Sequence, residues 1–300
     1  MMFTVFDARS YGKNILQTSQ ILTAQENFSA SLDSDVLLSS LLGKERSWLL
    51  AHPDADVSAI QSSFKNLIEK RCSGTPVAYL TGKKDFFQSS FYVTPAVLIP
   101  KPDTELLVEQ TLEAIRERSN SSPLSLLEPC TGSGCVVISV LKELEKIGIT
   151  NITTSAFDIS NEALAVAKKN AENLLSPKMR DLLSFFRFNL QESFSRLGTA
   201  YDIIFSNPPY VPTEMARLLL QDGRKEPFIA LDGGAEGLDF IQALANNSYV
   251  VLKRNGMLLS EVDEYHANQA ADILIKAGFS SVTIHKDFNL QDRLVTGIKV

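Results

Sequence analysis

Cysteine, histidine and tryptophan are scarce: of 300 residues, three are Cys, three are His and one is Trp. Cys72, Cys130 and Cys135 are too few and too unevenly spaced for a disulfide framework, and they fit a reducing, cytoplasmic compartment. His52, His266 and His285 are scattered, so no zinc-ligand spacing can be assembled and no metal is expected. No ligand set for haem or an iron–sulfur cluster is present either. No apolar run approaches the ~18 residues of a membrane span, so no membrane partner is expected. The opening Met-Met-Phe-Thr-Val-Phe-Asp lacks a basic segment followed by an apolar core and does not read as a signal peptide. Positive charge is in deficit: 29 Lys and Arg against 35 Asp and Glu give a net −6, which weighs against a nucleic-acid partner. No internal repeat is found. The remaining composition, 44% hydrophobic and 21% charged, is that of an ordinary globular protein. At ~100–200 residues per domain, the length favours two domains.

Residues 1–75 read as a helical domain. Ser34 or Asp35 is expected to cap a helix carrying Val36, Leu37, Leu38, Leu41 and Leu42. Asp56 is placed to accept from the start of the next helix, where Ile60, Phe64, Leu67 and Ile68 share a face. Gly74 falls just beyond its end. Residues 1–85 hold nine Lys/Arg and nine Asp/Glu, so this part is neutral and suits protein docking better than phosphate binding. In residues 76–100, Pro76, Gly82, Pro95 and Pro100 punctuate aromatic and β-branched stretches, the pattern of a β-hairpin or extended linker. Pro102 then suits the first turn of a helix carrying Leu106, Leu107, Thr111, Ala114 and Ile115.

Residues 101–300 alternate strand and helix. Strands are expected at 124–127, 153–157, 185–188, 201–206, 257–260, near 281–286 and at 292–299. Helices are expected at 135–146, from a Ser160 cap to about 175, at 236–253 and at 266–278. This is an α/β, Rossmann-like open sheet, which binds ligands beyond the carboxyl ends of its strands. The last two strands follow each other without a helix, so one is expected to be antiparallel.

Two loops carry chemistry. The first, Glu128-Pro129-Cys130-Thr131-Gly132-Ser133-Gly134, ends a strand and opens a helix, and its glycines allow a ligand close to the backbone. A dinucleotide loop wants a third glycine where Val137 stands, so the ligand is expected to lack a pyrophosphate. Asp158 ends the next strand, where an acid accepts from both ribose hydroxyls. A nucleoside-type ligand follows.

The second loop, Asn207-Pro208-Pro209-Tyr210, follows a buried strand. Its prolines remove two donors and stiffen the chain, which frees the carbonyls of Asn207 and Pro208 to point at a ligand. Asn207 adds a side-chain acceptor and Tyr210 a flat apolar face. Such a loop grips a planar –NH2 group by its two hydrogens. A nucleoside site beside an amine clamp is the constellation of an S-adenosylmethionine-dependent N-methyltransferase acting on a conjugated nitrogen.

Five further stretches extend the pattern: residues 35–53 from Asp35-Val-Leu-Leu to His52-Pro53, Gly74–Gly82, Val97–Glu105 (Val-Leu-Ile-Pro-Lys-Pro-Asp-Thr-Glu), Glu226–Gly237, and Lys286-Asp287 with Asp292-Arg293. Over nearly its whole length the chain resembles the release factor glutamine methyltransferases, the PrmC or HemK family. Asn-Pro-Pro-Tyr alone is shared with adenine N6-methyltransferases; the other stretches give the resemblance its specificity. The resemblance implies methylation of the side-chain amide nitrogen (N5) of the glutamine in the Gly-Gly-Gln motif of class I peptide chain release factors. It also implies a seven-stranded class I methyltransferase sheet, a helical domain that holds the release factor, and S-adenosylmethionine as methyl donor, released as S-adenosylhomocysteine. Asn207, Pro208, Pro209 and Tyr210 then hold the glutamine. Glu128, Cys130, Thr131, Gly132, Ser133 and Gly134 surround the cofactor's methionine part, Asp158 its ribose, and Asn189 and Leu190 its adenine, with Asn207 beside the methyl group. The chain departs from the family pattern where Cys130 replaces a glycine, Asn189 an acid and Lys101 an arginine, and Glu261 lacks a following glycine.

Three other readings are open to the same residues. One is an adenine N6-methyltransferase acting on nucleic acid, disfavoured by the net charge and by the lack of a basic, aromatic-studded insert. Another is a methyltransferase for a ribosomal-protein glutamine. The third is a non-enzymatic binding protein with a degenerate cofactor pocket, motivated by Pro129 and Cys130.

Overall fold

In the computed structural model, which describes residues 2–24, 28–118, 123–198 and 200–300, the chain divides into two units. The first is Met1–Lys83 with Leu218–Lys225, and the second is Lys84–Arg217 with Glu226–Val300.

In the first unit, helices Val5–Gln17, Ala30–Leu42, Arg46–Ala51, Gln61–Cys72 and Val77–Thr81 enclose Leu16, Leu37, Leu38, Phe64 and Ile68. Each such side chain contributes about 2 kcal/mol on leaving water. The expected cap at Ser34 or Asp35 is corrected: the helix starts at Ala30, and the Ser29 hydroxyl accepts from the Leu32 amide. Ser34 and Asp35 lie buried inside it. Both find tertiary partners there. Asp35 receives Arg9 Nε at 2.7 Å and Nη2 at 3.1 Å, and Ser34 Oγ donates to the Arg9 carbonyl at 3.4 Å. Asp56 does accept from the Ser58 amide at 2.9 Å. Helix Val77–Thr81 occupies the beginning of the stretch read as hairpin or linker.

The hairpin itself is β1 (Lys83–Phe86) and β2 (Ser89–Tyr92). Its two turn residues, Phe87 and Gln88, have φ of 42° and 60°, the left-handed pair a two-residue hairpin loop requires. Phe86 and Phe91 are buried in the core of the second unit.

Seven strands build the main sheet: β3 (Leu124–Pro129), β4 (Ile152–Asp158), β5 (Leu183–Arg187), β6 (Tyr201–Ser206), β7 (Leu252–Glu261), β8 (Phe279–Lys286) and β9 (Asp292–Lys299). Their order is β5-β4-β3-β6-β7-β9-β8, with β9 antiparallel to both of its neighbours and the other pairs parallel. The strands are apolar on both faces because helices cover both. Leu126, Ile203 and Leu259 face helices Glu105–Arg118 and Cys135–Lys146, whereas Leu127, Ile204 and Leu258 face helices Asp239–Val251 and Ala267–Lys276. From β3 the chain builds outward to β4 and β5, then returns to add β6 on the other side. The carboxyl ends of β3 and β6 therefore flank the point where the winding reverses, which is where open α/β sheets leave a crevice.

Candidate active site

At that crevice the ends of β3 and β6 are tied together by Ser206 Oγ, which donates to the Pro129 carbonyl at 2.8 Å. The loop after β3 turns back at once. Cys130 has φ 58°, so it keeps the left-handed backbone for which glycine is the usual residue, at a cost of about 1 kcal/mol. The Thr131 amide donates to the Phe157 carbonyl at 3.0 Å, and its hydroxyl donates to the Glu128 carboxylate. Gly132 has φ 55°, and nothing lies within 4 Å of where its Cβ would stand, so the backbone there is bare. Asp158 locks the turn: Oδ2 accepts from the Gly132 amide at 2.9 Å and Oδ1 from the Ser160 amide at 3.0 Å. Each oxygen keeps a further lone pair.

The crevice is a cavity of about 300 Å³. Of the residues singled out in the sequence, Glu128, Cys130, Thr131, Gly132, Ser133, Asp158, Asn189, Leu190, Asn207 and Pro209 line it, whereas Gly134, Pro208 and Tyr210 do not. Gly134 instead faces Ile138 and Ala167. Asn189 Oδ1 accepts from the Gln191 amide at 3.0 Å, so the oxygen expected to meet an adenine amine already serves a local turn. The sequence reading missed two walls. One is Val97, Pro100, Lys101 and Thr104; the other is Pro227, Ile229 and Ala230. Both lie in stretches singled out as motifs, but nothing local says that either reaches the crevice. Glu226 joins them: its Oε1 accepts from the Ile99 amide at 3.3 Å and from Lys101 Nζ at 3.0 Å. The lysine thus makes a point contact where an arginine would offer a fork.

The second loop is supported from two sides. Asn207 Nδ2 donates to Thr104 Oγ1 at 3.2 Å. Tyr210, half-buried, sends its hydroxyl away from the cavity to Glu261 Oε1 at 3.0 Å. Beyond it, the Val211 amide donates to the Leu231 carbonyl at 2.9 Å and the Gly233 amide to the Val211 carbonyl at 2.7 Å. Gly237 fits because it has no side chain: a Cβ there would stand 2.3 Å from the Tyr210 carbonyl oxygen. Gly237→Ala is therefore expected to cost about 2–4 kcal/mol through overpacking and strain. Urea unfolding checks this, and an unchanged midpoint would show that the two backbones do not touch.

The site is acidic inside. Burial pushes Glu128 up to about 8 against the opposing bond from Thr131, and burial also raises Asp158. Neither carboxylate has an Arg or Lys ion-pair partner among the described residues. Such a pocket is suited to a ligand that brings positive charge. Burial raises the Cys130 thiol and pushes Cys135 up to about 12, so both stay protonated and unreactive. Among the described residues, no group of three or more His, Cys, Asp or Glu comes together to hold a metal, and no helix is long and apolar enough to cross a membrane.

Residues 15–82 match the family model described as the PrmC N-terminal domain. The chain is 35% identical to the release factor glutamine methyltransferase of Clostridium acetobutylicum over 89% of this chain and 90% of that protein. It is 34% identical to the protein of the same name from Caulobacter vibrioides over 90% of this chain and 89% of the relative. With that from Shewanella oneidensis it shares 34% over 94% of each.

Proposed function

As the chain belongs to the release factor glutamine methyltransferases, we propose that its crevice holds S-adenosylmethionine and that residues 207–210 present a release-factor glutamine to the methyl group. The residues fit that cofactor. The bare Gly132 backbone admits a close ligand, buried Glu128 lacks a cationic partner, and Asp158 keeps lone pairs for ribose hydroxyls. When bound, the cofactor supplies a methyl group on a positively charged sulfur, and the departing sulfur takes the bond's electron pair. Glu128 and Thr131 face its methionine part, and Phe157 and Phe188, with rings 5.3 Å apart edge to face, close the apolar side of the cavity.

The substrate nitrogen is a poor nucleophile because its lone pair is delocalised into the amide. Asn207 answers this with geometry. Its Nδ2 is engaged by Thr104, so Oδ1 is the atom left to accept one hydrogen of the substrate amide. A backbone carbonyl of the same loop accepts the other. Two fixed acceptors raise electron density on nitrogen as positive charge develops there, and they hold it in line with the breaking bond. Methyl transfer leaves that nitrogen with one proton too many; amide oxygens are too weakly basic to keep it, so the proton passes to water and no strongly basic side chain is required.

The Asn207–Thr104 bond at the carboxyl end of β6, inside an acidic cavity, carries this reading. The test mixes the protein with labelled S-adenosylmethionine and a class I release factor, either intact or with the Gly-Gly-Gln glutamine changed to alanine. Label is expected on the intact factor alone. Equal label on both moves the acceptor elsewhere, and label on an oligonucleotide but not the factor overturns the reading.

A further inference from the structure

The loop that faces the substrate is held from behind by groups that the reaction itself does not use. Tyr210 turns its hydroxyl onto Glu261, which ends β7, is 2% exposed and has a second carboxylate oxygen with no hydrogen-bond partner. Across from it stands Arg293 of β9, whose Nε lies 3.6 Å from Asp287 and whose Nη2 lies 3.9 Å from Asp103. Arg293 Nε and Asp287 Oδ2 are likewise buried without a hydrogen-bond partner. The Thr104 hydroxyl, which accepts from Asn207 Nδ2 at 3.2 Å, also acts on the Glu261 carboxylate. Desolvation offsets most of the acid's attraction to the arginine, so it adds little to stability.

We infer that Glu261 is a positioning residue for methyl transfer: its carboxylate fixes the Tyr210 hydroxyl, and through Tyr210 it sets the Asn207-Pro208-Pro209 loop against the substrate amide. This rests on the function proposed above. The loop is short and its two prolines make it stiff, so a shift at Tyr210 is passed on to Asn207 with little damping. The ionised acid is the stronger acceptor, because a charge-assisted bond is about twice a neutral one. Burial raises Glu261 to about 7, while the Thr104 and Tyr210 hydroxyls and Arg293 oppose that rise. Asp103, beside Arg293, adds negative charge, and buried Cys135 faces Glu261 as a neutral thiol. The grip on the loop is therefore expected to loosen as pH falls below about 7.

Glu261→Gln, Tyr210→Phe and the double variant are compared with the unmodified enzyme at saturating S-adenosylmethionine, with an intact release factor as acceptor. Each single variant is expected to lose about tenfold in kcat, the loss of one charge-assisted hydrogen bond. The double variant is expected to be no worse than either single one. Cofactor Kd by calorimetry is expected to stay within about twofold, and the fall in kcat below pH 7 is expected to vanish in Glu261→Gln. Additive losses, unaffected kcat, or an unchanged acid limb in Glu261→Gln overturn the inference. If Glu261→Gln does not fold, Tyr210→Phe removes the same bond from the loop side and is judged by the same acid limb. An unmodified enzyme that labels no release factor overturns the function and this inference with it, whereas an active enzyme with unaffected variants overturns the inference alone.

Discussion

Asn207→Ala is expected to lower methyl transfer to a release factor by about 10³-fold, while S-adenosylmethionine affinity is expected to change by no more than a few-fold. The reason is geometric. Alanine removes Oδ1, the acceptor left over once Nδ2 has bonded Thr104 at 3.2 Å. A preorganised polar group aimed at developing charge is typically worth about 10²–10³ in rate. Losing in-line placement of an amide with no other nucleophilic assistance adds to that. Single-turnover transfer from labelled cofactor measures the chemical step free of product release. A loss smaller than about tenfold would mean that backbone carbonyls alone grip the substrate and that the asparagine side chain serves only to shape the loop.

Glu128→Gln is expected to have two opposite effects. Glu128 is raised to about 8 in the folded protein by burial, above its ordinary 4.5. A carboxyl shifted this way stabilises the fold fully below the ordinary value, and that contribution is lost as pH rises through the folded one. The unliganded enzyme is thus expected to lose stability between about pH 5 and 9, on the order of a few kcal/mol. The glutamine variant, with no proton to lose, lacks this part of the decline and melts higher than the parent at pH 9. Cofactor binding moves the other way. A cationic ligand needs the ionised acid, so the variant is expected to bind S-adenosylmethionine at least a hundredfold more weakly. The parent should release close to one proton on binding at pH 7. Melting at pH 6 and 9, with calorimetry in buffers of different ionisation enthalpy, reads all three. A parent and variant with parallel pH–stability curves would remove Glu128 from this role.

Strands β3 and β6 were legible because each is a short apolar run between turn signals, whereas β7 begins at Leu252, inside the stretch expected to be helix (236–253), and the polar Lys253-Arg254-Asn255 hides that start. Tyr201–Ser206 and helix Cys135–Lys146 fall where the pattern puts them. The Ser160 cap was legible for a similar reason, since its hydroxyl bonds Ala163 three residues on. Ser34 and Asp35 misled because their partners, on Arg9, come from another helix, and cap chemistry read locally cannot see a long-range bond. The same distance hid half the crevice. Thr104 meets Asn207, and Glu226 meets Ile99 and Lys101, across more than a hundred residues of chain. Motif resemblance marked these stretches as special without saying where they sit. Cys130 is a different case: the sequence shows a substitution, but only the backbone shows that the chain keeps the conformation of the residue it replaced.

Val211 and Asp232 form a single parallel bridge, and the Gly233 and Thr213 amides donate on either side of it, to Val211 and Gly234. Everything between is a closed excursion whose two ends are stapled together next to the Asn207–Tyr210 loop. Closing a loop costs only slowly more as it lengthens, since each doubling adds about 0.6 kcal/mol. That leniency does not reach the far part of this excursion, because Leu218–Lys225 packs within the first unit: a Cβ on Gly223 would stand 2.6 Å from the Ser73 carbonyl oxygen, and Lys225 Nζ donates to the Thr75 hydroxyl at 2.7 Å. The excursion is pinned at its tip as well as at its ends, so its length is set by packing and not by closure entropy.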